Sequence, residues 1–402
     1  MNYHIIPQDK FFNAYIEDIY KIGGGSNNVF LVRGEKGDTP FFSTNRPVEY
    51  LGYDVDFIEK RISLFEKEDR IIISGYDSFW GKILINSGVK SQLYVYIMGY
   101  EFFADPEGYH DEWLYDPRTR WYIRRNCRFH SVWFKLKRKW YKLPCYLYES
   151  YKFKNEIKQI YKKKLEYIER IDYLVTSKKD IAEIELIKKL YPSCHAKHVI
   201  GGFDQNVDAA KNIIVKYYYS DERSLRILLG NSADPTNNHA DTVNFFTRGR
   251  LKNSSIFAPL SYGNMHYADF VEQYMIKRLG NRFHPIRDYM PREEYIKFLS
   301  SMDMAIMNHN RQQAYGNICT ILTLGKPVFM KTKNVVYPLL RSMGIEDVYD
   351  VHELHKMEIK TVLSKADHNR QKNVQILLEY HSEETRLNNL RKLLCENTFT
   401  ES

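Results

Sequence analysis

From Ser224 onward, short apolar runs alternate with stretches whose apolar residues recur at helical spacing. The strand-like runs are Leu225–Leu229, Ser255–Pro259, Arg282–Ile286, Met304–Met307 and Pro327–Met330, with a weaker one at Val348–Val351. Helix-like stretches fill the gaps at Asn238–Arg248, Asp269–Leu279, Arg292–Ser300, Asn317–Leu324 and Tyr337–Met343. Strand–helix alternation with short connections predicts a parallel sheet covered by helices on both faces. In such a sheet ligands collect at the carboxyl ends of the strands, near the point where strand order reverses.

The first half follows the same logic less regularly. Asn28–Val32, Arg70–Ser74, Leu93–Met98 and Tyr173–Thr176 read as buried strands, and Gly34, Gly75 and Gly99 follow three of them closely. This predicts an α/β chain of two Rossmann-like domains: 1–210, then 211–355, with a hinge between Gly201 and Asp221. Residues 356–402 are helical in pattern, with Ile376, Leu377, Tyr380, Leu387, Leu390 and Leu394 at helix-like spacings, and are expected to pack back on the first domain.

Composition changes this picture in one place. The chain of 402 residues carries a formal net charge of +9, but residues 118–164 hold 16 Lys and Arg against Glu149 and Glu156. That segment contributes +14, which leaves −5 for the rest. The basicity is therefore local and needs a local explanation. The five cysteines are scattered and form no CxxC pair, so neither a zinc site nor a disulfide framework is supported and a reducing cytosolic location follows; no cofactor is expected. Met1–Lys10 lacks an apolar run of signal-peptide length, and no stretch reaches the roughly 18 apolar residues that would span a bilayer.

Three polar loops carry candidate chemistry. Gly230-Asn231-Ser232 ends an apolar strand shortly before Asn237, and such a loop can turn N–H groups toward a phosphate. A plain strand–helix turn with an Asn cap uses the same residues. Asn308-His309-Asn310-Arg311-Gln312-Gln313-Ala314-Tyr315-Gly316-Asn317 follows the strand Met304–Met307 and precedes an apolar helix. A cation, several amides and a helix N-terminus suit a departing diphosphate. A solvated loop is the plain alternative, but so dense a polar run between a buried strand and a buried helix is hard to explain as packing. Pro259-Leu260-Ser261-Tyr262-Gly263-Asn264 is a third strand end, where Tyr262 could meet a base or sugar and Gly263 permits close approach; taken alone, it reads first as a plain strand-end turn.

The Gly230–Ser232 loop with Asn237 and His239, the Pro259/Tyr262 turn, Tyr295, Asp303, and above all Arg311-Gln312-Gln313 with Gly316 resemble glycosyltransferase family 56, clearly over about 222–340. The resemblance implies a GT-B fold, with two Rossmann-like domains whose parallel sheets face a central cleft. It also implies inverting, metal-independent transfer from a dTDP-sugar to an undecaprenyl-diphosphate-linked saccharide. The donor would be held by Gly230, Asn231, Ser232, Asn237, Tyr262, Gly263, Asn310, Arg311, Gln312, Gln313, Gly316 and Asn317, helped by Asn334 and Tyr337. An inverting transfer needs a base for the acceptor hydroxyl. Ser74-Gly75 resembles a family strand end where His-Gly is expected. Gly99-Tyr100-Glu101 resembles its Trp-Gly-Ala-Asp segment, with Glu101 at the Asp position. Glu101 is the expected base, Asp77 the alternative, and Ser74, Gly75 and Gly99 mark the acceptor side.

The basic segment is also aromatic. Trp133, Leu136, Trp140 and Leu143 fall on one helical stripe, with Lys135, Arg138, Lys139 and Lys142 on much of the other side. Trp133, Lys135, Arg138, Lys139 and Trp140 are thus expected to contact an anionic membrane surface, placing the protein peripherally on the cytoplasmic face of the bacterial inner membrane. A solvated helix packed by its aromatics on the first domain, or a nucleic-acid binder, could use the same ingredients; no nucleic acid is the expectation here. UDP- or GDP-sugars are the alternative donors, and a nucleotide-binding protein without catalysis is a further alternative. The sequence carries no signal for an oligomeric state.

Overall fold

The computed structural model describes residues 1–40, 42–103, 111–126, 143–176, 181–201 and 224–395. Two compact units emerge. One comprises Met1–Ala104, Asn155–Gln205 and His381–Ser402, the other Asp105–Lys154 and Asn206–Tyr380.

The first unit is built on a seven-stranded sheet. In chain order the strands are β1 (Asn2–Ile6), β2 (Asn28–Val32), β3 (Glu49–Tyr50), β4 (Arg70–Ser74), β5 (Gln92–Tyr96), β6 (Tyr173–Thr176) and β7 (Lys197–Ile200). Their spatial order is β3-β2-β1-β4-β5-β6-β7, every pair parallel. The order reverses between β1 and β4. Ile6, Phe30, Val32, Ile72 and Tyr94 share a core with Phe12, Ile16 and Ile19 of the helix Lys10–Lys21 and with Leu390 and Leu393 of the last helix, Glu383–Cys395.

The second unit carries β8 (Arg226–Leu229), β9 (Ser255–Pro259), β10 (Phe283–Ile286), β11 (Met304–Met307), β12 (Val328–Met330) and β13 (Val348–Asp350). Their order is β10-β9-β8-β11-β12-β13, again all parallel, so the reversal lies between β8 and β11. Side chains alternate between two cores. Ile227, Leu229, Ile256, Met304 and Ile306 face one; Leu228, Phe257, Ala305 and Met307 face the other. Burial on both faces makes parallel strands read as unbroken apolar runs, which is why the pattern found them.

The division of the chain differs from the sequence expectation in two segments. The helix Pro117–Asn126 docks on the second unit: Tyr122 enters its core and stacks on Phe270 at 4.2 Å. The Asp241 carboxylate takes the N–H groups of Arg118 (2.7 Å) and Thr119 (3.0 Å), so it caps this helix from more than a hundred residues away. The expected tail also divides. Ile359, Leu363 and Leu377 pack in the second unit, and only the helix Glu383–Cys395 returns to the first, where Arg386 Nε pairs with Asp18 at 2.5 Å.

His4, in the middle of β1, ties three elements of the first unit together. One ring nitrogen lies 2.9 Å from the Tyr15 hydroxyl and the other 2.8 Å from Asn28 Oδ1. Complete burial pushes its pKa down to about 4. Unfolded, this histidine takes up a proton near pH 6.5; folded, it does so only near 4. The stability it protects is whole above that window and is lost as pH falls through it, by about 3 kcal/mol at most. In His4→Gln, the melting temperature should depend less steeply on pH between 6.5 and 4 than in the natural chain. Equal slopes would show that His4 is not held neutral.

Candidate functional site

The reversal of strand order between β8 and β11 opens a crevice at their carboxyl ends. Four segments meet there, following β8, β9, β11 and β12. Gly230 begins the first at φ +67, a conformation L side chains rarely adopt. A Cβ on it would lie 2.5 Å from Asn237 Oδ1 and 2.7 Å from His239 Nε2. The β8 and β9 loops are stitched by Ala233 N–H to Tyr262 O (2.8 Å) and Asn264 N–H to Ala233 O (3.2 Å).

Asn237 is fully buried beneath these loops. Its Oδ1 accepts the Asn231 N–H at 2.9 Å, which fixes the amide's orientation. His309 Nε2 lies 2.8 Å from the same oxygen and must therefore carry the proton. Among the described residues, His309 Nδ1 and both ring nitrogens of buried His239 have no hydrogen-bond partner. Burial lowers both pKa values, His239 to about 3; for His309 the Arg311 charge adds to burial. Two neutral imidazoles thus lie directly under the loops.

Above them the side chains interlock. Asn231 donates to the Tyr262 hydroxyl (3.1 Å) and accepts from Gln313 Nε2 (3.1 Å). The Thr236 hydroxyl lies 2.5 Å from Gln313 Oε1 and 2.6 Å from Asp234 Oδ1. Arg311 Nη1 donates to Gln312 O at 3.0 Å, and Nη2 stands 3.9 Å from Asp234 Oδ2 with the side chain 14% exposed. The helix Tyr315–Thr323 starts next, behind Ala314 at φ +59, with no side-chain cap. Its first-turn N–H groups have no intrahelical acceptor, and Gly316 adds no side chain there. An arginine beside an uncapped helix N-terminus is a place for an anion. Tyr262 buries its hydroxyl, which raises its pKa, while the residue stays 56% exposed.

The structure brings Gly230, Asn231, Ser232, Tyr262, Arg311, Gln312, Gln313, Gly316 and Asn317 to this edge; Asn317 donates to the Tyr295 hydroxyl at 3.2 Å. Gly263 serves the stitch itself, because a Cβ would come within 3.0 Å of the Ala233 carbonyl carbon. Three expected ligands act from below instead. Asn237 is the hub just described. Asn310 donates to the carbonyls of Trp113 (3.0 Å) and Leu114 (3.2 Å). Asn334 donates to Arg311 O at 2.7 Å and so fixes the loop's course. Tyr337 packs on the core of the opposite face. Asp303, one of the family-like positions, lies at the amino end of β11 and binds the Arg226 N–H at 2.8 Å, away from this edge.

In the first unit, Ser74 and Gly75 stand at the end of β4, beside that sheet's own reversal, and Gly99 follows β5. Asp77 caps the helix Ser78–Asn86, accepting from Phe79 N (3.0 Å) and Trp80 N (3.1 Å). Glu101 falls in the short helix Tyr100–Phe103; its side chain lies outside the described residues, as do Trp133, Lys135, Arg138, Lys139 and Trp140. Among the described residues no group of three or more His, Cys, Asp or Glu could hold a metal ion. His309 and the buried ends of Asn310 and Asn334 were not assigned these roles from sequence; an Asn-His-Asn run straight after a buried strand was the available signal.

Gly230→Ala should cost about 1–3 kcal/mol through the crowding of Asn237 and His239. Calorimetry checks this; an unchanged melting temperature would mean the loop relaxes freely.

A family model described as 4-alpha-L-fucosyltransferase glycosyl transferase group 56 matches residues 150–385, starting well before the segment where the sequence resemblance is clear. Solved structures match nearly end to end. An alpha,alpha-trehalose-phosphate synthase (UDP-forming) from Burkholderia vietnamiensis aligns with TM-score 0.58 and 10% identity over 100% of both chains. The Candida albicans trehalose-6-phosphate phosphatase N-terminal domain aligns with TM-score 0.54 and 8% identity, over 99% of this chain and 97% of that one. An E. coli structure, titled as trehalose-6-phosphate bound with UDP-2-fluoro glucose, gives TM-score 0.54 and 8% identity over 97% and 99%. At such identities the likeness is one of fold, and it is the GT-B fold expected from the sequence. With more than half of the chain inside the family match and two parallel-sheet units around it, the chain belongs to glycosyltransferase family 56 and is a glycosyltransferase.

Proposed function

We propose that this enzyme moves a deoxy-aminosugar, of the 4-acetamido-4,6-dideoxygalactose type, from a dTDP donor to an undecaprenyl-diphosphate-linked saccharide in bacterial surface polysaccharide synthesis. The observation that carries the donor half of this reading is Arg311 beside the uncapped N-terminus of the helix Tyr315–Thr323, at the strand-order reversal. When the bond from the anomeric carbon to the diphosphate oxygen breaks, negative charge grows on the leaving group. A preset guanidinium and aligned N–H groups stabilise that charge. These groups take the role a divalent metal has elsewhere. Tyr262 offers an exposed ring for the sugar or base.

On the acceptor side, Glu101 takes the proton of the attacking hydroxyl as the new glycosidic bond forms, and the anomeric centre inverts. Asp77, whose Oδ1 already receives two backbone N–H groups, is the weaker choice. A lipid-linked acceptor requires work at a membrane surface, which fits the +14 charge of residues 118–164. Among the described residues no helix is long and apolar enough to cross a membrane.

Arg311→Ala should lower kcat by about two orders of magnitude at unchanged melting temperature. Mass spectrometry of reactions with dTDP-, UDP- and GDP-sugars and a short prenyl-diphosphate disaccharide identifies donor and product. Transfer only from a UDP- or GDP-sugar would overturn the dTDP assignment. Anomeric coupling constants of the product decide inversion.

A further inference from the structure

The peptide Asp111–Asn126 precedes the family match, yet it reaches the same strand ends. Asp116 stands just before the helix Pro117–Asn126. Its Oδ2 accepts from Lys331 Nζ at 2.5 Å and from Asn308 Nδ2 at 3.1 Å; its Oδ1 accepts from Asn310 Nδ2 at 3.3 Å. Lys331, directly after β12, donates also to Asn310 Oδ1 at 2.7 Å. The two side chains are 19% and 4% exposed. The Asp116 N–H is itself held by Asn238 Oδ1 at 2.8 Å. Asn308 and Asn310 flank His309, and Arg311 follows at once. The loop that ends in the arginine is therefore clamped by one carboxylate from outside it.

A nearly buried ion pair adds little net stability, because desolvation offsets most of the attraction. What it does supply is fixed geometry. We infer that Asp116, paired with Lys331, is a positioning residue for the transferase, holding Asn308–Arg311 so that Arg311 is set for the donor's diphosphate before the donor arrives. This role rests on the diphosphate reading above. A cation already in place needs no reorganisation when the bond breaks, and a displacement of about 1 Å can cost roughly a hundredfold in rate.

The test uses the full chain in three forms: natural, Asp116→Asn, and Asp116→Asn with Lys331→Met. Melting temperature, donor kcat and KM, and amide exchange of residues 308–313 are measured for each. Asp116→Asn should lower the melting temperature and cut kcat roughly tenfold to a hundredfold, with a smaller change in KM. The double variant removes the stranded buried charge, so its melting temperature should recover while kcat stays low. Exchange over 308–313 should be faster in both variants. Recovery of kcat together with melting temperature would reduce the pair to a structural role and overturn the proposal. So would a single variant with natural kcat and natural exchange. If the natural chain transfers from no sugar nucleotide, the donor reading fails separately; exchange then decides alone, and unchanged exchange overturns the positioning role.

Discussion

The carboxamide of Asn237 receives the Asn231 N–H from the β8 side and the His309 Nε2–H from the β11 side, while its own nitrogen donates to Asp234 O and faces Ser232 Oγ. Strand order reverses between β8 and β11, so their loops diverge and leave a gap. The buried Asn237 side chain spans that gap, as does buried Asn238, whose Nδ2 donates to Asn308 O at 3.3 Å. A buried amide must have its polar atoms satisfied or it costs stability, and here the satisfaction requires both loops to hold their course. The rest of the edge inherits this constraint. Position 230 has to lack a Cβ, His309 has to keep its proton on Nε2, and the polypeptide emerges from His309 aimed at Arg311.

Electrostatics point the same way. Arg311 is largely covered, and Lys331 is covered almost completely. Were the two buried imidazoles charged as well, four cations would crowd one strand edge. Burial keeps both histidines neutral, and Asp116 answers Lys331. The positive potential left for a ligand comes from the helix start and from Arg311, which Asp234 offsets in part from 3.9 Å.

Much of this was legible. Second-unit strands read as apolar runs because helices cover both faces of the sheet. Strand-end loops stood out because dense polar runs between buried elements are hard to explain from the sequence as packing, although Asn308, His309 and Asn310 prove to make buried structural contacts. The misses have physical causes. β1 contains His4, β3 is two residues long, and the edge strand β7 begins with Lys-His, so none shows an unbroken apolar run. The helix expected at Asn238–Arg248 starts only after Asn238, which is left-handed (φ +52), and its first turn, His239–Thr242, is a tighter 3-10 turn that runs into the helix Val243–Thr247. Sequence could nominate Asn237, Asn310 and Asn334 as polar and near the site, but not which way each amide turns. Asp116 was not singled out, since the partners of its carboxylate stand 192 to 215 residues later. Proximity in the chain suggested that 118–126 belonged with the first sheet; the burial of Tyr122 and the Asp241 cap place it on the second.

The helix Glu383–Cys395 covers the first unit's core, yet it is made after every residue of the second unit. On the ribosome, the first sheet must therefore wait with the flank that receives Leu390 and Leu393 uncovered, and with Asp18 lacking Arg386, while the whole second unit is synthesised and can fold. Translation is slow compared with folding. The nascent protein thus passes through a long interval in which one half is complete and the other exposes an apolar face, a stage at which chaperone capture or premature cleavage of the emerging chain would act on the first half alone.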